Sequence, residues 1–315
     1  MHSYSRAGRL GLVVGLCCTL AACGWVDKLK GQQAFKDANA AYKAQDYKRA
    51  AQHYENALKL NPELNSALFY LGNSYDNLYK PARAGEPEND AMLTKAVDYY
   101  KQAFEKDPSP QIKKLALEYT VAAYGADRMN KPEEQEPLIQ KMISLDQSDP
   151  TNYFALAKLY EDSGRYDDAE AQLMKAKEIA PQNPDVYMQL AGYYNRQGDF
   201  DKTVEYLNER TRIQSDNPEA FYTVSTFFWD KAYRDFRITE AQKKEYAERG
   251  LVAANRAIEL KPDYMEAITY RGLLLRVLAA IEKDAGKQSQ LLKDADAMQA
   301  KAMEIRKQRA AGITR

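Results

Sequence analysis

The chain has 315 residues, and 45 lysines and arginines balance 45 aspartates and glutamates, so the formal net charge at pH 7 is zero. A chain without a positive field has little to attract nucleic acid, and we expect no nucleic-acid partner. The three cysteines and two histidines provide no cluster of ligands for zinc. We therefore expect neither a metal nor another cofactor.

The first 22 residues have the pattern of a secretory signal peptide. Arg6 and Arg9 precede an uncharged run over residues 10–22, which is too short for a membrane span because a spanning helix needs roughly 20 apolar residues. The run ends in Leu20-Ala21-Ala22-Cys23, which resembles the lipobox of bacterial lipoproteins. In that family the signal is cut before a diacylated cysteine, so the resemblance implies that Cys23 becomes a lipidated first residue.

The cysteine count agrees with a lipoprotein signal. Cys17 and Cys18 lie within the predicted signal peptide, so only Cys23 would remain after cleavage and no disulfide is expected. In the lipoprotein family an aspartate after the cysteine favours retention in the inner membrane, whereas Gly24 stands at that place here. The resemblance therefore implies a lipid anchor in the outer membrane of a bacterial cell envelope, facing the periplasm.

Residues 23–30 are predicted to form a lipidated tether. The six residues from Trp25 to Lys30 reach at most roughly 20 Å when fully extended. The folded part of the chain, which we place at residues 31–309, is therefore expected to lie near the lipid.

A 34-residue unit occurs twice in succession between residues 150 and 218. Apolar residues from Tyr153 to Tyr160 recur at i, i+3, i+4 and i+7, which is one face of a helix, and the same spacing resumes after Gly164. An aspartate or asparagine before each proline can cap the helix that follows, and proline is tolerated at the first helical position. Two sets of residues stand 34 apart: Pro150, Pro184 and Pro218, and Gly164 and Gly198. The pattern predicts pairs of amphipathic helices joined by a turn at glycine.

This spacing resembles the tetratricopeptide repeat, in which each unit is a helix, a turn and a second helix. The resemblance implies an all-α fold, a right-handed superhelical solenoid of about seven repeats. We place the repeats near residues 31–64, 65–108, 109–148, 149–182, 183–217, 218–262 and 263–309.

Two of the predicted repeats contain insertions. In the second repeat, residues 80–90 contain two prolines and a glycine and are predicted to form a loop. In the sixth repeat, Thr239 and Gln242 form a capping-box pattern. We therefore expect the insertion in the sixth repeat to lengthen its second helix at the N-terminal end.

No pattern of catalytic residues stands out. The sequence contains no P-loop, G-x-S-x-G or H-E-x-x-H motif. Neighbouring carboxylates such as Asp167 and Asp168 lie at the predicted start of a helix, where acidic residues are favoured by the helix dipole. We predict that the protein is not an enzyme, and an envelope hydrolase is the weakest of the alternatives.

The repeat family suggests a binding groove, because the first helix of each repeat lines a concave surface in that family. The resemblance assigns an apolar stripe to this groove: Phe35, Phe69, Phe154, Met188 and Tyr222. One turn further along stand three side chains able to hydrogen-bond a main chain: Asn39, Asn73 and Lys158. We expect an extended or helical segment of a partner to lie on the stripe. The alternative is that the stripe packs neighbouring first helices together.

A second candidate contact lies at residues 229–236, whose sequence is Trp-Asp-Lys-Ala-Tyr-Arg-Asp-Phe. We predict that Trp229, Tyr233 and Phe236 lie in a connection longer than a plain turn. Long connections in solenoids tend to project on one face and to contact partners. The alternative is that these aromatic residues fold back over the lengthened helices.

The sequence thus predicts a membrane-anchored scaffold or adaptor that binds a protein or peptide in the bacterial cell envelope. The alternative within the binding class is an assembly factor of the outer membrane, acting in barrel insertion, secretin or pilus assembly, or polysaccharide export. The sequence does not identify the partner.

Replacing Cys23 tests the predicted anchor. We expect Cys23→Ser to abolish metabolic labelling with a radioactive fatty acid and to leave the precursor uncleaved at residue 22, because the thiol that accepts the lipid is gone. Cys18→Ser is the matched control and should be labelled normally. Unchanged labelling of Cys23→Ser, or a mature N-terminus elsewhere, would contradict the lipoprotein prediction.

Overall fold

The structure is a computed structural model that describes the backbone of residues 7–312 and the side chains of residues 25–312. The predicted signal peptide at residues 1–22 and the predicted lipidation site at Cys23 fall outside the residues with described side chains. Both therefore stay predictions.

The described residues form fourteen α-helices and one short 3-10 helix, and residues 7–312 contain no strand. In chain order the helices are α1 (Ala7–Lys43), α2 (Tyr47–Leu60), α3 (Ser66–Leu78), the 3-10 helix (Pro81–Arg83), α4 (Pro87–Lys106), α5 (Pro110–Ala123), α6 (Pro132–Leu145), α7 (Pro150–Asp162), α8 (Tyr166–Ile179), α9 (Pro184–Arg196), α10 (Phe200–Ile213), α11 (Pro218–Arg234), α12 (Glu240–Leu260), α13 (Met265–Ile281) and α14 (Ala285–Ala310). The all-α prediction is confirmed for this part of the chain.

Local sequence signals set the helix boundaries. The side chains of Asp149, Asn183 and Asn217 each accept a backbone N–H at the start of α7, α9 and α11, and a proline follows each of them. Gly164 and Gly198 adopt φ values of 73° and 79° in the turns that follow α7 and α9, a conformation that favours glycine. The prediction of capped helices joined by glycine turns is therefore confirmed for these repeats.

Both insertions lengthen helices. The capping box of Thr239 and Gln242 is present at the start of the 21-residue helix α12, as predicted. The predicted loop at residues 80–90 is shorter than expected, because the 20-residue helix α4 already begins at Pro87. Pro87 is compatible with this start since the first helical position needs no backbone donor.

The predicted tether at residues 25–30 is part of α1. The α-helical rise of 1.5 Å per residue gives this stretch a length of about 9 Å rather than the extended reach. It lies against the end of the first repeat: Lys28 Nζ lies 2.7 Å from Glu63 Oε2. At the next residue of α1 after the stretch, a Cβ added to Gly31 would be only 2.8 Å from the Cβ of Asn61. Within the described residues, no helix has both the length and the apolar character that crossing a bilayer requires.

The chain folds as two compact units, Met1–Tyr166 and Asp167–Arg315. The first unit has a core around the fully buried Tyr54, Leu71 and Tyr100. In the second unit, α11, α12 and α13 enclose a core that includes Ala254 and Leu274.

Tyrosine hydroxyls connect first helices to the second helix of the preceding repeat. Within the two units the bonds are Tyr75 to Glu55 at 2.5 Å, Tyr160 to Glu136 at 2.8 Å and Tyr194 to Glu170 at 2.5 Å. A cation lies over each of these rings: Lys95 over Tyr75 at 4.7 Å, Arg165 over Tyr160 at 3.9 Å and Lys202 over Tyr194 at 4.4 Å. The same combination of carboxylate, ring and cation thus recurs at three junctions.

Two helical glycines test the close packing of paired helices. A Cβ at Gly72 would lie 2.9 Å from the Tyr100 ring and 3.0 Å from the Ala96 carbonyl oxygen, whereas one at Gly192 would meet only the terminal Nη1 of Arg196, at 3.2 Å. We expect Gly72→Ala to lower the free energy of unfolding by about 1 to 3 kcal/mol. Gly192→Ala should raise it by up to about 1 kcal/mol through helix propensity. Urea unfolding of both variants measures the difference, and a stabilised Gly72→Ala would contradict the close approach of α3 and α4.

Candidate functional site

The predicted groove residues of the first unit differ in exposure. Phe69 is only 5% exposed, because the rings of Tyr70, Tyr100 and Tyr119 surround it with centroids 5.5 to 5.6 Å away. Phe35 is half-buried and packs against the Tyr54 ring at 5.9 Å. Phe69 is therefore a core residue rather than an open groove position.

The two predicted asparagine ligands already have side-chain partners. Asn39 Oδ1 accepts a hydrogen bond from the Tyr54 hydroxyl at 2.7 Å. Asn73 is buried, accepts from the Tyr42 hydroxyl at 2.6 Å and donates to the Tyr100 hydroxyl at 3.3 Å. Because these bonds occupy the amide groups, both asparagines hold helices together in this structure instead of facing a partner.

The hydrogen bonds of Asn73 continue into a half-buried ion pair. The Tyr100 hydroxyl donates to Asp76 Oδ2 at 3.0 Å, and Asp76 pairs with Arg128, which comes from the segment after α5. The guanidinium of Arg128 also lies over the Tyr79 ring, 5.6 Å from its centroid. Burial and the nearby Asp76 carboxylate raise the pKa of Tyr100, which keeps its hydroxyl a donor. The network fixes α3 and α4 against the α5–α6 connection.

Phe154 and Lys158 lie on a more open part of the first unit. Phe154 is half-buried, while Lys158 is exposed and pairs with Asp162 one turn further along α7. Lys158 and Asp162 line a cleft of about 900 Å³ between α7 and the α5–α6 connection, which contributes Asp127 and Arg128. Charges of both signs surround this cleft, so it has no single preference for an anion or a cation.

The second unit carries a continuous row of aromatic side chains along α11 and α13. Ring-centroid distances of 5.1 to 5.4 Å join its members in sequence: Tyr264 to Tyr222, Tyr222 to Tyr270, Tyr270 to Trp229 and Trp229 to Tyr233. These distances are in the range of favourable aromatic pairs. The last pair is stacked, with an interplanar angle of 12°, and Tyr233 is 64% exposed. We call these five residues the aromatic row.

The aromatic row brings together residues from two separate sequence predictions. Tyr222 was predicted as a groove residue, whereas Trp229 and Tyr233 were predicted in a connection. That second assignment is wrong, because α11 continues to Arg234 and includes both residues. Of the three predicted loop aromatics, Phe236 alone lies in the connection, where it is 92% exposed. Met188, on α9, is half-buried.

Sequence reasoning missed two members of the row, Tyr264 and Tyr270. Tyr270 lies one turn after Glu266 on α13, and Tyr264 occupies the N-cap of the same helix. Neither is at a motif position of the repeat. The sequence marks these two residues only by the high frequency of tyrosine around them. That frequency indicates a shared surface only once α11 and α13 are known to lie side by side.

The hydroxyls of Tyr222 and Tyr264 are protonated near neutral pH. Burial, followed by the carboxylates of Glu219 and Glu266, raises the pKa of Tyr264 to about 12. Burial also raises the pKa of Tyr222. Within residues 25–312, no hydrogen bond is formed by the hydroxyls of Tyr222, Tyr264 and Tyr270, so they can donate to a bound molecule.

Chemistry of other kinds has little support in the described part of the chain. No group of three or more His, Cys, Asp or Glu side chains is placed there to hold a metal ion. Asp167 and Asp168 lie in the first turn of α8 and are exposed, as expected for solvated residues at a helix start.

Comparison with known proteins identifies the repeat. Residues 128–188 match the family model described as tetratricopeptide repeat. The crystal structure of the C-terminal part of a TPR repeat-containing protein from Cytophaga hutchinsonii is similar with a TM-score of 0.58 at 14% identity, covering 86% of this chain and 98% of that chain. The fold is that of a tetratricopeptide-repeat protein.

Other matches are more limited. Residues 24–131 match the family model described as plant-specific mitochondrial import receptor subunit TOM20. YrrB, described as a TPR protein with an unusual peptide-binding site, has a TM-score of 0.41 at 19% identity and covers 60% of this chain and 89% of its own. PilW, described as a widely conserved type IV pilus biogenesis factor, has a TM-score of 0.44 at 20% identity and covers 76% and 97%. The comparison with curated proteins found no match.

Two phenylalanines at equivalent repeat positions test the difference in burial. We expect Phe69→Ala to lower the free energy of unfolding by about 3 to 5 kcal/mol, because it empties a site enclosed by three tyrosine rings. Phe154→Ala should cost about 1 kcal/mol, since its ring is partly in solvent. Chemical denaturation of both variants measures the two losses. Equal losses would show that the two positions are equally part of the core.

Proposed function

We propose that this tetratricopeptide-repeat protein is a scaffold that binds an extended segment of a protein partner on the aromatic row of its second unit. The observation that carries the proposal is the uninterrupted sequence of five rings on α11 and α13, which ends at the exposed Tyr233. Tyrosine and tryptophan are enriched at protein interfaces, where their rings provide contact area at a low entropy cost.

The length of the row suits a short peptide. Tyr222 and Tyr233 are eleven residues apart on α11, which corresponds to about 16 Å along the helix axis at 1.5 Å per residue. An extended chain rises about 3.3 Å per residue, so roughly five residues of a partner would cover this distance. Alternate side chains of such a segment would pack on the rings.

The hydroxyls provide the polar half of the recognition. Tyr222 and Tyr264 are protonated at neutral pH, as an ordinary tyrosine is, and burial raises the pKa of both side chains further. A protonated hydroxyl donates to a main-chain carbonyl, and an extended segment exposes its carbonyls because it makes no internal hydrogen bonds. Rings and donors at one surface therefore match a peptide main chain with apolar side chains.

The proposed location is the outer membrane facing the periplasm, with the protein anchored through acyl chains on Cys23. The lipobox-like Leu20-Ala21-Ala22-Cys23 supports this anchor, and more than one acyl chain is enough for stable attachment. In that place the scaffold would present or position an envelope protein. The alternative role as an assembly factor of the outer membrane uses the same anchor and differs only in the partner.

Site-specific crosslinking in the native envelope tests the proposed binding surface. We expect a photo-crosslinking phenylalanine analogue at Tyr233 to form an adduct with one partner, because the ring lies at the exposed end of the row. The matched control is the same analogue at Val252 on α12, which is 71% exposed and is not a member of the row. Mass spectrometry of the adduct identifies the partner and the crosslinked segment.

A double replacement provides the second measurement. Tyr233→Ala with Trp229→Ala should remove the adduct formed by a neighbouring probe at Phe236, and circular dichroism should show that the helices persist. Adducts that form equally at Tyr233 and Val252, or that persist in the double variant, would contradict the aromatic row as the binding surface.

A further inference from the structure

The middle of α1 exposes a patch of three large apolar side chains. Trp25 is 66% exposed, Val26 is 41% exposed and Leu29 is 51% exposed. These are high values for a helix whose following turns are well packed: Gly31 is buried, and so are Ala34 and Ala38. We call Trp25, Val26 and Leu29 the N-terminal patch.

The geometry of α1 places the patch on the side away from the core. Successive residues of an α-helix are about 100° apart, so Trp25, Leu29 and Val26 fall within about 100° of arc. The buried residues Ala34 and Ala38 lie on the opposite side of the same helix by the same count. The patch therefore faces outward while the helix is held to the first repeat from behind.

Basic residues flank the patch. Lys28 and Lys30 lie on either side of it by the helical count, and Lys28 also pairs with Glu63 at 2.7 Å. An apolar helix face that carries tryptophan between lysines is typical of helices that lie in the interface between acyl chains and head groups. The lysines would then face anionic head groups.

The chain immediately before the patch supplies the reason for a lipid partner. The uncharged run of residues 10–22 ends at Cys23, two residues before Trp25. An uncleaved chain keeps this apolar run, and a cleaved chain carries acyl chains on Cys23. In both cases the group that precedes Trp25 partitions into lipid. Residues 25–30 are helical rather than extended. They therefore separate the lipid-attached end of the chain from the first repeat by only about 9 Å.

We propose that the N-terminal patch docks onto the surface of the lipid bilayer and fixes the orientation of the first repeat relative to the membrane. The proposal rests on the membrane attachment given above as part of the proposed function. It replaces a flexible tether with a helix that is bound to lipid on one face and to α2 on the other.

The two tryptophans of the chain, Trp25 and Trp229, provide the experiment. The full chain is expressed in bacteria, purified and reconstituted into vesicles of phosphatidylethanolamine and phosphatidylglycerol, with or without brominated acyl chains. In Trp229→Phe, Trp25 is the single tryptophan, and we expect brominated lipid to quench its emission and vesicles to shift the emission to shorter wavelength. In Trp25→Phe, Trp229 is the single tryptophan and should show neither change.

A second pair of variants separates docking from attachment. In the Trp229→Phe background, the additional replacements Val26→Ser and Leu29→Ser should abolish the quenching of Trp25 by brominated lipid. Sedimentation with the vesicles should stay unchanged. Val252→Ser, at an even more exposed position on α12, should leave the quenching unaltered.

Three results are decisive. If the chain sediments with vesicles but Trp25 is quenched no more than Trp229, docking is overturned while the anchor stands. If Cys23→Ser sediments with the vesicles as the unaltered chain does and its Trp25 is still quenched, docking stands and the lipid anchor is overturned. If neither sedimentation nor quenching occurs, both proposals are overturned.

Discussion

The close approach of paired helices at small residues is the constraint on which the rest of the structure depends. In four second helices, two alanines seven residues apart are fully buried: Ala50 and Ala57 in α2, Ala96 and Ala103 in α4, Ala169 and Ala176 in α8, and Ala247 and Ala254 in α12. Seven residues make two turns, so each pair lies on one stripe of its helix. A methyl group at each point lets the neighbouring backbone come near, and the larger aromatic side chains are then accommodated on either side of the stripe.

The packing changes where the sequence departs from this stripe. Gln135 stands 34 residues before Ala169, and its Nε2 donates to the Val121 carbonyl at 3.0 Å. It also lines the cleft of about 900 Å³ beside α7. In α10, Arg210 stands 34 residues after Ala176 and its Nη1 donates to Thr223 at 3.2 Å. A long polar side chain cannot be covered as a methyl group is, because its donors need partners. The cleft therefore follows from a local departure from the repeat.

The sequence allowed the repeat, the helix caps and the glycine turns to be predicted, because these depend on residues close together in the chain. Exposure at equivalent repeat positions could not be predicted in the same way. Phe69 and Phe154 occupy the same motif position, yet Tyr119 from the next first helix covers only Phe69. The aromatic row was predicted in part, since Tyr222, Trp229 and Tyr233 were identified but assigned to two different places. Its remaining members depend on the pairing of α11 with α13, which no local pattern encodes.

Tyrosine has two distinct uses in this fold, and the difference lies in where the hydroxyl finds an acceptor. At the repeat junctions the acceptor is within the chain, as when Tyr194 donates to Glu170 at 2.5 Å. A tyrosine hydroxyl keeps its proton across the physiological pH range, and burial raises the pKa of Tyr194 further. In the aromatic row the rings pack on one another, but the hydroxyl of Tyr222 donates to no carboxylate among the described residues. The hydroxyl of a junction tyrosine donates to a carboxylate of the same chain. The hydroxyl of a row tyrosine has no such acceptor and can donate to a partner. That difference favours the aromatic row over the repeat junctions as the place where a partner's main chain is recognised.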